Sequence, residues 1–363
     1  MVEYSEYRLG DLCKRFSSGK GISAENIAET GSYPVIGGNG LRGYTEIYNF
    51  DGECAVIGRQ GAYCGNVQFF SGKGYMTEHA VVAEPNNKTN AKYLTYKLGG
   101  LQLGRFSGQA AQPGLSVTKL ARLRINMPSK EYQDKVANIL SVYDNLIEVN
   151  NKRIRVLEQM AENLYREWFV RFRFPGYESA EFENGIPKGW EIKKVGTLCN
   201  IITGKKDANE ATGNGQYPFF TCARETTLST DEYILDTNAI LISGNGSFTG
   251  FVKKYSGKFD LYQRTYALYN FDNVEWLFMY WTLKIEFERE YMGGSHGSAI
   301  PYITKPNIEK FKIIVPPKDL QKKSQALFEW IHIECIKLNE QNANLIKQRD
   351  LLLPRLMSGK LEV

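Results

Sequence analysis

Two glycine-containing turns carry the side chains best suited to contact a ligand. Gly58-Arg59-Gln60-Gly61-Ala62-Tyr63 and Ser243-Gly244-Asn245-Gly246-Ser247-Phe248 each follow an apolar run. Glycine lets backbone N–H groups come close to a ligand while the neighbouring polar side chains project. Arginine offers a planar fork of donors, and the amide of Gln or Asn sets a donor beside an acceptor. Both suit bidentate hydrogen bonding, which is recognition chemistry. The same stretches also read as plain hairpin turns. Signs of catalysis or metal binding are lacking: none of the six cysteines forms Cys-x-x-Cys, and the three histidines, His79, His296 and His332, lie far apart. Gly19-Lys20-Gly21 and Gly204-Lys205-Lys206 lack the spacing and the Ser/Thr of a phosphate-binding P-loop. Neither Gly37-Gly38-Asn39-Gly40 nor the stretch from Gly244 to Gly250 matches a dinucleotide-binding turn.

The chain that must position these turns has 363 residues, enough for two domains or slightly more. Its net charge of +5 allows a polyanionic partner without demanding one. The N-terminal residues Met1 to Glu6 show no secretion signal, and no apolar run is long enough to span a membrane. The expectation is a cytoplasmic chain with buried, inert cysteines, no metal and no bound cofactor.

The sequence repeats once. Pro128-Ser129-Lys130-Glu131-Tyr132-Gln133 matches Pro316-Pro317-Lys318-Asp319-Leu320-Gln321. Upstream, Leu9-Gly10-Asp11-Leu12-Cys13 resembles Val195-Gly196-Thr197-Leu198-Cys199, and Tyr33-Pro34 resembles Tyr217-Pro218. The two glycine turns correspond in the same order. Such a period marks two domain-sized units, not a solenoid. Each unit begins with a stretch of short strands and turns and ends in one long helix.

The helices announce themselves by heptad spacing. Val136, Leu140, Tyr143, Ile147, Asn150, Ile154, Leu157, Ala161, Leu164 and Trp168 alternate four and three apart. No Pro or Gly interrupts Glu131 to Phe174, so a helix on the order of 55–60 Å is expected there, with Ser129 as its N-cap. Ile331, Cys335, Leu338, Asn342, Leu345, Arg349, Leu352 and Leu356 form a second seam, which Pro354 should kink or end near Leu353. If the helices pack antiparallel with Val136 level with Leu356, then Asn150 falls level with Asn342. A buried Asn pair fixes register. The alternative is that each Asn meets solvent or a partner subunit.

The expected fold is therefore α+β: two similar domains of small mixed sheets and helices, joined by two long helices packed as an antiparallel coiled coil with pseudo-two-fold symmetry. The bounds read as 1–128 and 175–316 for the globular domains, 129–174 for the first long helix, and 317–363 for the second with its tail. Two like heads held apart suit a bipartite ligand, and duplex DNA with two half-sites is the natural one.

The repeated Pro-x-x-(Glu/Asp)-x-Gln before a long helix resembles the specificity subunit of type I restriction–modification systems. So do the helix ends, Leu157-Glu158-Gln159-Met160-Ala161 through Trp168-Phe169 and Leu351-Leu352-Leu353-Pro354-Arg355-Leu356. The resemblance covers essentially the whole chain. It implies two target-recognition domains, each reading half of a bipartite site in double-stranded DNA. It implies helices that set the gap and dock two modification subunits, which carry S-adenosylmethionine, with restriction subunits joining them. It also implies a chain without catalysis of its own. In keeping with that, Val315-Pro316-Pro317-Lys318 lacks the flanks of an adenine methyltransferase loop. The alternative is a two-headed protein-binding scaffold with a coiled-coil spacer and no role at DNA.

On the DNA reading, Arg59 suits guanine or a phosphate, Gln60 and Asn245 suit adenine, and Tyr63 and Phe248 suit a sugar or the core. Ser247 belongs to the same turn. Gln109 and Gln112 in one loop, His296 and Ser298 in another, and the pair His79 and Arg264 are further candidates for base or phosphate contact. Lys20, Arg42, Lys73, Lys205, Arg224 and Lys258 are candidates for phosphate neutralisation.

Overall fold

The computed structural model describes residues 2–61, 63–107, 114–211, 213–292, 302–361 and 363. The chain divides into two compact units, residues 1–151 with 339–363, and residues 152–338.

In the first unit the strands are β1 (Tyr4–Arg8), β2 (Cys13–Ser18), β3 (Tyr33–Gly37), β4 (Gly40–Thr45), β5 (Phe50–Gly58), β6 (Val67–Met76), β7 (Ala80–Pro85) and β8 (Arg124–Pro128). Six of them form one sheet in the order β2-β7-β5-β6-β3-β4, and β1 pairs with β8. All pairings are antiparallel except β3 with β6. The run Cys54-Ala55-Val56-Ile57 places β5 at the centre, because it can be buried on both faces. Ala55 and Ile57 face the helix Ala91–Gly99, with Tyr93, Leu94 and Leu98; Cys54 and Val56 face Phe50, Ile36 and Met76. This is the two-residue alternation of a strand read directly as two cores.

The second unit holds a short hairpin, β9 (Phe182–Glu183) with β10 (Ile186–Pro187), and then the same plan. Its strands are β11 (Glu191–Lys194), β12 (Asn200–Thr203), β13 (Tyr217–Phe220), β14 (Leu228–Thr230), β15 (Leu235–Ser243), β16 (Val252–Leu261), β17 (Thr265–Tyr269) and β18 (Lys312–Val315). The six-stranded order is β12-β17-β15-β16-β13-β14, with β11 on β18 and a single parallel pair, β13 with β16. The two sheets correspond strand for strand.

The first long helix spans Lys130–Tyr165 and the second Lys318–Met357. Ser129 caps the first, accepting from Tyr132 N at 3.4 Å. The repeated motif acquires a role here. Gln133 Nε2 donates to Pro128 O at 3.0 Å, and its Oε1 accepts from Asn90 N at 2.9 Å. Gln321 makes the same pair, to Pro316 O at 2.8 Å and from Glu275 N at 3.0 Å. Each buried glutamine ties the start of a long helix to the end of the strand before it, β8 or β18, and to the start of a short helix.

Within the first unit the long helices run antiparallel. Tyr132 Oη donates to Leu356 O at 3.0 Å, Arg349 Nη1 meets Asp144 Oδ1 at 2.7 Å, and Asn150 Nδ2 donates to Asn342 Oδ1 at 3.0 Å. Asn342 Nδ2 continues to Asn151 Oδ1 at 2.9 Å, so each amide is used. Leu140 is buried, and Ile147, Leu345 and Leu352 are half-buried. In the second unit Ile154 and Leu157 pack against the core that contains Ile331 and Cys335, and Leu338 is buried.

Two expectations about helix ends fail. Pro354 does not stop the second helix, which runs on to Met357. Leu356 is fully buried and its carbonyl is taken by Tyr132, so tertiary contacts hold the last turn. The freed end is closed by Ser358 N on Pro354 O at 3.1 Å. The first helix stops short of Phe174. It loosens into a π-turn over Arg166–Val170, with Arg171 N on Arg166 O at 2.8 Å, and Phe172 turns left-handed at φ 56°. The wider turn seats Phe169 against Trp190 and Phe278. Burial of that aromatic cluster outweighs one regular turn.

Candidate nucleic-acid interface

Three loops converge at one corner of the first sheet: the β5–β6 loop, the β3–β4 turn and the β6–β7 turn. Arg59 N donates to His79 O at 3.1 Å, and Gly65 N returns to Gly58 O at 2.8 Å. The approach is so close that a Cβ on Gly58 would sit 2.3 Å from Gly38 O. Gly61 turns the β5–β6 loop at φ 79°. Arg42, Gln60, Tyr63 and His79 line a concavity of about 590 Å³ at this corner. Tyr63 is 58% exposed, a large apolar ring left in water at the rim. His79 Nε2 lies 3.3 Å from Glu78 Oε1.

Arg59 does not project as the sequence suggests. Its Nη1 donates to Ser18 Oγ at 3.0 Å, and among the described residues its buried Nε has no partner. Thr77 Oγ1 and Glu78 Oε2, on the β6–β7 turn, are buried and likewise have no partner among the described residues. An unsatisfied buried polar group is expensive, and here several belong to the converging loops.

The second sheet repeats the corner with other side chains. Gly244 N donates to Arg264 O at 2.9 Å, Gly250 N to Ser243 O at 2.8 Å, and Gly246 turns at φ 83°. Asn245 bridges to Tyr302, as Gln60 bridges to Gly114 in the first unit. Ser247 and Arg264 are exposed. Arg224 is exposed too, and its guanidinium lies 5.2 Å over Phe248 and 5.5 Å over Phe251. Lys253 and Lys284 join it around Phe251, at 5.7 and 4.4 Å. Those two lysines and Phe251 were not singled out from sequence. The signal was present in the repeat, since Asn66 and Gln68 stand where Phe251 and Lys253 do.

Other expected contacts are placed elsewhere. Lys73 lies 4.9 Å over Tyr48 and Lys258 4.8 Å over Tyr233. Both sit near the far ends of the β5–β6 and β15–β16 ribbons, on the order of 20 Å of strand away from the glycine turns. Lys20 and Lys205 are exposed beside the ends of β2 and β12. Gln109, Gln112, His296 and Ser298 lie outside the described residues.

One thiol stands at each corner: Cys64 Sγ donates to Arg59 O at 3.4 Å, and Cys222 Sγ to Arg264 O at 3.3 Å. The described cysteines are all free thiols, and burial pushes Cys13, Cys54 and Cys199 up to about 12, where they are inert. Among the described residues no three side chains gather in a way that could hold a metal ion.

The family model described as "Type I restriction modification DNA specificity domain" matches residues 1–159 and again 187–348. The chain belongs to this type I specificity family. The double match is the internal repeat seen from outside: each copy takes in one sheet, with its corner, and most of the long helix that follows. The chain is 41% identical over 166 residues to the type I restriction enzyme EcoprrI specificity subunit of Escherichia coli, a stretch covering 45% of this chain and 41% of the relative. It is 28% identical over 307 residues to the MjaIX specificity subunit of Methanocaldococcus jannaschii, covering 77% of this chain and 71% of the relative. The match to the two Escherichia coli relatives, EcoprrI and EcoDI, spans about two fifths of their length. In fold, the chain is similar to the crystal structure of the type I restriction–modification S subunit from M. genitalium. The TM-score is 0.64 at 18% identity, over 98% of this chain and 96% of that one. No helix among the described residues is long and apolar enough to cross a membrane.

Proposed function

We propose that the chain is a DNA-reading subunit in which each sheet corner reads one half of a bipartite duplex site. The observation that carries this is the duplication: one chain of the specificity family presents the same three-loop corner twice, on matching sheets with different side chains. A frame kept constant while its loop residues diverge is what reading two different half-sites requires. Arg42, Gln60, Tyr63 and His79 at one corner, and Asn245, Ser247, Arg224 and Arg264 at the other, are the readers and clamps.

The long helices set the gap and dock two modification subunits. Beside its seam, the first helix leaves Val142, Leu146 and Val149 at 55%, 46% and 51% exposure in the first unit. In the second unit the second helix leaves Leu327, Trp330 and Ile333 at 44%, 55% and 48%. An exposed apolar stripe of this kind marks an interaction surface. Counting from the repeated glutamine, Val142 and Trp330 hold the same helix position, which supports one modification subunit on each helix. Those subunits hold S-adenosylmethionine and do the chemistry; this chain, acting in the cytoplasm, supplies the address, and restriction subunits complete the cleaving enzyme.

A gel shift with duplex DNA, alone and with a modification subunit, tests the reading. Mapping methylated adenines across the host genome then gives the two half-sites. Absence of DNA binding in both arms favours a protein-binding scaffold, and stoichiometric S-adenosylmethionine on the isolated chain overturns the non-catalytic role.

A further inference from the structure

Three cations of the second unit crowd one aromatic ring. Lys284 Nζ, Arg224 Cζ and Lys253 Nζ stand 4.4, 5.5 and 5.7 Å from the centre of Phe251. Phe248, 6.4 Å from Phe251, shares the Arg224 guanidinium. Such contacts hold a cation in place without neutralising it. One carboxylate answers the three: Glu288 pairs with Lys284 at 2.7 Å. Among the described residues neither Arg224 nor Lys253 has a carboxylate partner, and residues 293–301 contain no Asp or Glu at all. Lys253 donates instead to the carbonyl of Ala223. Burial lowers its pKa from the ordinary lysine value, with Cys222 opposing, so its ammonium is partly stripped of water. Two cations without a carboxylate partner among the described residues, both held against Phe251 and tied through the Ala223 carbonyl to one loop, are a prepared seat for an oxyanion.

Among the described residues, the first unit has no such seat at the equivalent positions. At the positions of Phe251 and Lys253 it has Asn66 and Gln68. Gly99 stands where Lys284 does, counting from the residues held by Gln133 and Gln321. Tyr63 replaces Phe248. The cluster is therefore no requirement of the sheet.

We propose that Arg224 and Lys253 form a phosphodiester-binding subsite of the second unit that the first unit lacks. The proposal rests on the reading of the chain as a binder of duplex DNA. A backbone phosphate bridges the guanidinium and the ammonium, and Phe248 and Phe251 hold the two cations in place. Lys253 exchanges a carbonyl for a charged acceptor, which reverses the effect of its burial.

The test is the salt dependence of binding. The full-length chain is titrated against a labelled random-sequence duplex between roughly 50 and 200 mM salt. Lys253→Met and Arg224→Gln should each reduce the steepness of log K against log salt by about one. Lys253→Arg should keep the wild-type slope. Gln68→Met, at the equivalent place in the first unit, should leave the slope unchanged. Wild-type steepness in both charge-removing variants overturns the subsite, as does a slope lost equally in Lys253→Arg, because that points to packing and not charge. A wild-type chain that binds no duplex at any salt overturns the DNA reading itself, and is distinguishable from either result.

Discussion

The groove between sheet and long helices is built twice in this chain, once open and once filled. In the first unit Phe69, Lys92, Tyr96 and Gly99 face Asp144 and Arg349 across a cavity of about 470 Å³. Asp144 takes Arg349 at 2.7 Å and the hydroxyl of Tyr96, while Gly99 has open space where a Cβ would go. In the second unit Lys254 replaces Phe69, Trp281 replaces Tyr96, Lys284 replaces Gly99 and His332 replaces Asp144. The Lys254 ammonium lies 4.3 Å over Tyr280 and 5.5 Å over Trp281, and burial lowers its pKa. The His332 ring meets Trp276 at 5.3 Å. One frame thus supports an ion-paired, open groove and an aromatic, cation-filled one. The backbone hydrogen bonds and central strands carry the fold, so the surroundings are free to change sign of charge and degree of filling.

That comparison is sharpest where equivalent core positions are emptied. Leu140 and Phe328 hold the same place on the two long helices, and both are almost wholly buried. Phe328→Ala should destabilise by about 4 kcal/mol and Leu140→Ala by about 3 kcal/mol, read by chemical denaturation. A ring leaves the larger cavity, so the reverse order would break the equivalence of the two cores.

Next in size come the paired glutamines. Gln133→Ala and Gln321→Ala each strand a buried carbonyl and a helix-start N–H, and should cost about 2–3 kcal/mol alike. Unequal losses would show that only one of the two clamps matters.

At the corners, Gln60→Ala should weaken binding of a duplex carrying the mapped sites by about 1–3 kcal/mol, with altered preference at one half-site only. Unchanged affinity and preference would remove Gln60 from the readers of the first corner.

The smallest expected effect separates the grooves by pH. Burial, and then Lys254, depress His332 to about 4. In the unfolded chain the imidazole takes up its proton near pH 6.5, whereas in the fold it resists until about pH 4. Stability is therefore full above pH 6.5 and falls as the pH drops towards 4, by about 1–2 kcal/mol once solvent screening of this half-buried ring is allowed for. As the pH falls through that window, the thermal midpoint of wild type should drop relative to that of His332→Phe. Parallel curves would refute the depressed pKa.

Much of this was legible beforehand. The two helices follow from a spacing that only a helix turns into one apolar stripe. The Asn150–Asn342 contact follows from counting along that stripe once the helices run antiparallel. The duplication is visible as ordered matches, and it locates both glycine turns at equivalent strand ends. The corner chemistry was less legible. Arg59 reads as a projecting fork, yet its guanidinium folds back on Ser18, a residue distant in sequence. Lys253 and Lys284 look like ordinary surface lysines until the sheet and the following helix bring them to one ring. Pro354 and the stretch after Tyr165 show the same limit, because local rules ended or prolonged a helix that buried contacts decided otherwise.

The sequence by itself determined the two long helices, short of their exact ends, and the tandem order of strands and turns that precedes each. Periodicity and repetition are properties of neighbours along the chain, and local backbone geometry converts them directly into helices, strands and turns. Only the tertiary structure decided which charges stand unneutralised and which polar atoms are buried without partners. Those depend on residues far apart in sequence meeting in three dimensions, where the surrounding protein, and not the chain order, sets the dielectric and supplies the partners.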